Sequence, residues 1–212
     1  MDGRRDPDRV VRVLGALGAG VIGLQEVDAR RGADQFRRLA EGAGLEGLAA
    51  PTIGRGGAGC YGNLLLTRLP VLSERRHDLS VPGREPRGAL EVLLDAGGRP
   101  LRVVVTHLGL SWRERGLQAR RLVAALPEDD LPTVLLGDLN TWVPREPALR
   151  FLQARFGPGP APATFPSRYP VLALDRAWAP ARALRAHGVL RDRLARVASD
   201  HLPVHARVAL GS

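Results

Sequence analysis

The octet Thr133–Asn140, TVLLGDLN, constrains this chain more than any other stretch. Val134, Leu135 and Leu136 form a wholly apolar run, too short for a helix and rich in branched side chains. Such a run fits a strand buried on both faces. Gly137 closes it, and Asp138 and Asn140 follow at once. Residues two apart on an extended segment point the same way. A carboxylate and an amide therefore stand side by side at the lip of a buried strand, able to accept and donate at one small target. Taken alone, Gly-Asp-x-Asn is equally ordinary turn chemistry.

The pattern recurs, and the recurrence changes the balance. Val21–Glu26 is an apolar run ending in Glu26, and Leu101–His107 is another ending in His107. Ser199-Asp200-His201 stands directly before the strand-like Leu202–Leu210. Buried strands that end in Glu, His and Asp/Asn, or begin after Asp-His, can bring those groups to one rim of a sheet.

In this order, LQEVD, THLGL, GDLN and SDHLPV resemble the endonuclease/exonuclease/phosphatase superfamily. The stretches YGNLLLTRLP, EPRGAL and TFPSRYPVLALDR are similar to its short bacterial members. The resemblance covers most of the chain; its specificity lies in the combination. It implies an α+β fold, a two-sheet β-sandwich flanked by helices on both sides. It also implies a phosphoesterase dependent on Mg²⁺, with Mn²⁺ as an alternative, hydrolysing a phosphodiester or phosphomonoester through in-line attack by water.

Residue by residue, the resemblance makes Glu26 a ligand for the divalent metal, and a hard cation of this kind prefers carboxylate oxygen. Asp200 is similar to a second metal-side carboxylate. His201 and Asp175, in Leu174-Asp175-Arg176-Ala177, form the hydrolytic pair. A carboxylate on one ring nitrogen fixes the tautomer and raises the basicity of the other, so His201 would activate water or stabilise the attacked phosphate. His107 would donate to the phosphate, and Asp138 and Asn140 would orient the water and a phosphate oxygen. Tyr61 and Asn63 are expected to line the pocket. Arg87 pairs with a phosphate or with Glu85, and Trp142 forms a substrate wall or packs at the rim. Arg113, Arg115, Arg120 and Arg121 are expected on a solvated helix face.

The 212 residues suit one domain, 1–212, with a sizeable core. Net charge is 31 − 22 = +9, yet every basic residue is Arg, so the charge reflects compositional bias and carries little weight for a nucleic-acid partner. The single cysteine, Cys60, excludes an intrachain disulfide. No run is apolar enough to span a bilayer and no signal segment opens the chain, which reads as a cytoplasmic monomer without a stable protein partner. The substrate stays open among nucleic acid, a phospholipid headgroup and a small phosphate ester.

Local signals place helices after Asp6-Pro7 and over Ala33–Ala43, Trp112–Leu126 and Pro147–Arg155. Gly54–Gly59 reads as a surface loop. Strands are expected at Asn63–Thr67, Val71–Leu79, Ala173–Trp178 and Val189–Val197, and in an Arg87–Asp95/Arg99–His107 hairpin around Ala96-Gly97-Gly98. One departure from the superfamily stands out. Its opening strand, which ends in an asparagine near the metal, has no counterpart after Met1-Asp2-Gly3, so the chain reads as N-terminally truncated. The expected consequence is a gap in the sheet beside Leu202–Leu210. It also keeps a second reading alive, a non-catalytic or weakened member that binds a phosphate ligand.

Overall fold

The computed structural model describes residues 6–30, 34–54 and 59–210. In chain order these form α1 (Pro7–Leu17), β1 (Val21–Asp28), α2 (Gln35–Ala43), β2 (Glu46–Ile53), β3 (Tyr61–Thr67), β4 (Val71–Asp78) and β5 (Gly88–Asp95). There follow β6 (Pro100–His107), α3 (Trp112–Ala125), β7 (Thr133–Asp138), α4 (Pro147–Phe156), β8 (Asp175–Trp178), β9 (Leu184–Val189), α5 (Ala195–Ala198) and β10 (Val204–Val208). No helix among the described residues is long and apolar enough to cross a membrane.

Five strands form one sheet in the order β4-β5-β6-β7-β8, β1-β3-β2 form a second, and β10 pairs with β9. Among the described strands only β6 and β7 run parallel, and α3 makes the crossover between them. The wholly apolar stretches of β6 and β7 follow from this central position, because both of their faces are covered.

Three apolar clusters define the layers. Val92, Val103, Val105 and Leu90 of the large sheet meet Leu65 and Leu48 of the small one between the sheets. Leu122 of α3 and Leu149 and Leu152 of α4 pack on the outer face of the large sheet with Leu135 and Trp178. Leu14 of α1 and Phe36 and Leu39 of α2 cover the small sheet through Leu64 and Leu66. Helices thus lie outside both sheets, as the four-layer expectation required.

The caps follow the sequence. Asp6 accepts from the backbone N–H groups of Asp8 and Arg9 while Pro7 opens α1. Asp34 caps α2, which begins at Gln35; Ala33, Gly54–Gly59's central residues 55–58 and Met1-Asp2-Gly3 lie outside the described residues. The Ala96-Gly97-Gly98 turn forms, with Gly97 and Gly98 both at positive φ. Val189–Val197 is corrected. The strand is Leu184–Val189, and the segment after it turns into α5. β2 occupies Glu46–Ile53, where no strand was expected.

Among the described residues, the sheet beside the C-terminal strand has an unpaired edge. β10 pairs with β9 on one side only, and β1 pairs with β3 on one side only. Between those two free edges lies a cavity of about 480 Å³, lined among others by Ile22, Leu24, Val103, Leu136, Val204 and Val208.

Candidate functional site

Register alone puts three polar groups in a row. His107 of β6 is paired with Asp138 of β7, which is paired with Asp175 of β8. All three lie where their strands end or begin, so the large sheet carries them on one rim. Leu139 N–H donates to Leu174 O and Leu108 N–H to Asp138 O, which extends the pairing one residue beyond the strands and holds the row rigid.

His201 completes the row from the segment before β10. Its Nδ1 lies 2.8 Å from Asp175 Oδ2. A carboxylate can only accept, so Nδ1 carries the proton and Nε2 faces the site, 3.9 Å from Asp138 Oδ2. Thr164 donates to the same Asp175 oxygen, and the Phe165 ring rests 4.9 Å from the His201 ring. Asp175 is paired with His201, and the neighbouring Arg176 donates instead to the carbonyls of Ala173 and Asp175.

Asp138 is buried, and Asn140 N–H donates to its Oδ1 at 2.8 Å. Its second oxygen lies 3.6 Å from His107 Nε2. Asn140 Nδ2 donates to Leu108 O at 2.9 Å and lies 3.1 Å from His107 Nε2. Asn140 takes a left-handed conformation, φ 51°. Such backbone is uncommon outside glycine and gathers at functional sites.

Glu26 shares that feature, with φ 57°. The β1–β3 register shifts between Leu24 and Val27, so Gln25 and Glu26 form a bulge. A bulge re-aims a side chain, and here it lets Glu26 leave the strand alternation. Glu26 is exposed, is hydrogen-bonded with Tyr61, and shares a pocket with Tyr61, Asn63, Arg87 and His107. Asn63 is buried and spends its amide on Gly88 O. Asp200 is the outlier. It is exposed, and the three groups whose ligand atoms lie within 4.8 Å of one another are Asp138, Asp175 and His201.

Arg87 does more than sequence suggested. It pairs with Glu85 at 3.1 Å, and its other contact is His107 Nδ1 at 3.0 Å, with the Arg87 side chain buried. Arg115 is corrected outright. It is 1% exposed and clamps Glu146 at 2.7 Å, also donating to the carbonyls of Gly109 and Leu110. Its guanidinium also lies 5.1 Å from the centre of the Trp142 ring, which is exposed at the rim. The loops after His107 and after Asn140 are thereby tied together. The partner, Glu146, is 31 positions away, so no local pattern pointed to it.

The electrostatics separate the titrating groups. Burial, then the neighbouring Asp175, raises Asp138 to about 6, with Glu26 adding to the effect. Burial pulls His201 down, but the hydrogen bond and charge of Asp175, with Asp138 and Asp200, outweigh it and leave it raised to about 9. Burial, then Arg87 and His201, holds His107 down at about 3. Tyr61 is pushed up by burial and by Glu26. Asp138, a buried carboxyl that resists ionising, stands beside Asp175, with Glu26 near enough to add to the effect, and such hard oxygen donors fit a divalent cation of the magnesium type.

Comparisons with known proteins bear on the family and the fold. A model of the Endonuclease/Exonuclease/phosphatase family matches residues 1–201. The uncharacterized protein YbhP of Escherichia coli is 33% identical over 165 residues, covering 72% of this chain and 64% of YbhP. The chain thus spans less than two thirds of that relative's length. A conserved Enterococcus faecalis protein of unknown function superposes with a TM-score of 0.81 at 22% identity, over 96% of this chain and 90% of that one. The mannosyl-6-phosphatase of Bacteroides thetaiotaomicron superposes with a TM-score of 0.79 at 16% identity, over 98% and 91%. At those identities the two structures share the fold. The chain belongs to the endonuclease/exonuclease/phosphatase family.

Proposed function

We propose that the protein is a divalent-metal-dependent phosphoesterase that hydrolyses a phosphodiester or phosphomonoester by in-line attack of water. The observation that carries this reading is the opposed pair Asp138 and His201, 3.9 Å apart, with one group raised to about 6 and the other to about 9. Environments that drive two titrating groups apart assign them different roles. At neutral pH Asp138 is ionised but still basic, and His201 is a cation.

Asp138 Oδ2 accepts a hydrogen bond from the attacking water and takes its proton as the new P–O bond forms, while Oδ1 stays fixed by Asn140 N–H. In this reading His201, 3.9 Å from Asp138 Oδ2, stands on the same side of phosphorus as that water. The leaving oxygen departs on the opposite side, so His201 Nε2–H serves a non-bridging oxygen, with Asp175 balancing its charge. Arg87 can only donate, so His107 Nδ1 accepts from it; the Nε2 proton then lies between Asn140 Nδ2, 3.1 Å away and donating its own proton to Leu108 O, and a second non-bridging oxygen of the substrate. Neutral His107 and cationic His201 together offset the charge that develops on the phosphoryl group. Glu26 and Asp200 would hold the cation, Mg²⁺ or Mn²⁺, which would polarise a phosphate oxygen and neutralise the leaving oxygen. Tyr61, Asn63 and Trp142 are proposed as the surrounding walls.

The test is a panel of esters offered to the purified chain with and without Mg²⁺: bis(p-nitrophenyl) phosphate, p-nitrophenyl phosphate, an oligonucleotide and a phospholipid. Turnover of at least one that requires the metal supports the reading; binding of phosphate without turnover of any would replace it with the binding-protein alternative.

A further inference from the structure

Eight large apolar side chains are exposed among the described residues, and six of them lie on the segments that follow His107 and Asn140 or pack against His201. Leu110 and Trp112 follow His107, Trp142 and Val143 follow Asn140, and Tyr169 and Val171 lie on the loop that packs against His201. That loop is fixed to the site by Phe165 against the His201 ring and by Ser167 N–H donating to Asp200 O. One pair of segments thus flanks His107 and Asn140, and the other segment flanks His201 and Asp175. Tyr169 is 81%, Val171 74% and Leu110 66% exposed. Scattered apolar groups on a surface are ordinary, but a concentration around one mouth marks an interaction surface.

The charge on the same segments has one sign. The charged side chains exposed on Leu108–Arg113, Thr141–Glu146 and Phe165–Leu172 are Arg113, Arg145 and Arg168. Of the carboxylates beside these segments, Glu114 and Glu146 are buried, with Glu146 consumed by Arg115, and Asp200, whose carbonyl accepts from Ser167 N–H, is exposed on the His201 side. Arg115 also holds the carbonyls of Gly109 and Leu110, so the segments bearing Leu110 and Trp142 are braced from beneath. The apolar side chains therefore project from a built scaffold.

We propose that this rim docks the protein on an anionic lipid surface, with Leu110, Trp112, Val143, Tyr169 and Val171 entering the headgroup boundary and the arginines meeting acidic headgroups. Apolar and aromatic groups interleaved with arginine are the composition that partitions to such a boundary. Stacking on nucleobases is the competing use of Trp and Tyr. It suits the rim less well, because Leu110, Val143 and Val171 offer no ring. Arg113 and Arg115 also already lie over Trp112 and Trp142, at 5.2 and 5.1 Å. That the docked site then meets a phosphate ester in the lipid plane rests on the phosphoesterase reading; docking itself does not.

The experiment is co-sedimentation of the full chain with phosphatidylcholine vesicles, with and without phosphatidylglycerol. The chain pellets with the anionic vesicles and not with the neutral ones. Leu110→Ser with Trp112→Ser, or Tyr169→Ser with Val171→Ser, weakens pelleting about tenfold or more, as does Arg113→Gln with Arg168→Gln. The substituted side chains are exposed, and circular dichroism verifies that each variant is folded. Pelleting needs no turnover, so it is decided separately from the hydrolytic activity. Absence of wild-type pelleting, or variants that pellet as well as wild type, overturns the proposal. Oligothymidylate binding that the same apolar variants abolish, in a chain that does not pellet, assigns the rim to single-stranded nucleic acid instead.

Discussion

Arg87 NH1 sits 3.0 Å from His107 Nδ1, and this contact decides which nitrogen of the histidine faces the site. A guanidinium cannot accept, so Nδ1 accepts and the neutral ring carries its proton on Nε2, beside Asn140 Nδ2 at 3.1 Å, which donates to Leu108 O. Arg87→Met keeps much of the stem but removes that control. Turnover should fall about 10- to 100-fold, with a smaller change in KM. Glu85, half exposed, loses its partner at little expense. Equal losses in KM and kcat, or none in either, would mean that Arg87 does not act through the His107 tautomer.

The same buried ring makes stability depend on pH in a defined sense. His107 is lowered from 6.5 to about 3, so between those values the unfolded chain binds the proton and the folded chain does not. Its contribution is complete above about 6.5 and is lost as pH falls toward 3. Asp138, raised from 3.8 to about 6, works in the opposite direction between those two values and masks the effect in the parent protein. Denaturant unfolding of His107→Gln at pH 7 and pH 4.5 should separate them. The variant should lose less stability on acidification than wild type, and an equal or larger loss would show that His107 titrates normally.

Arg115 and Glu146 form a buried pair that braces two site loops. Breaking one member leaves an uncompensated charge, at roughly 3–5 kcal/mol. Arg115→Met should show that loss in denaturant unfolding, while Arg115→Met with Glu146→Met should be less destabilised than the single variant. A single variant as stable as wild type contradicts the brace.

The polar ends of β1, β6 and β7 were legible because each follows an apolar run, and a buried strand must end where its neighbours do. Asp138, His107 and Asp175 then fell into one register row. What sequence hid was non-local. β2 carries Gly47 and Pro51 and lacks alternation, which reads as loop; it survives because it is an edge strand, where proline is tolerated. β9 carries Arg185 and His187, so its apolar signal is weak, and the strand expectation slid downstream to Val189–Val197. Arg115 looked like a surface helix residue because its partner comes from another loop. The Glu26 bulge depends on two strands at once, and neither strand alone shows it.

Among the described residues β1 and β10 each leave one edge unpaired, with an apolar cavity between them. Exposed strand edges are usually covered in native proteins. Amide exchange at Val21–Gln25 and Val204–Val208 should therefore be faster than in the central strands β6 and β7, and equal protection in both would contradict open edges there.

The most direct measurement is hydrolysis of bis(p-nitrophenyl) phosphate by wild type and by His201→Ala, each in Mg²⁺ and in excess chelator. His201 faces the proposed phosphate position, is paired with Asp175 at 2.8 Å, and is raised to about 9. Losing a positioned cation together with its proton should lower turnover by about three orders of magnitude, and chelation should abolish wild-type activity until Mg²⁺ or Mn²⁺ is restored. Wild-type rates in a clean His201→Ala preparation, or rates indifferent to chelator, would contradict the account.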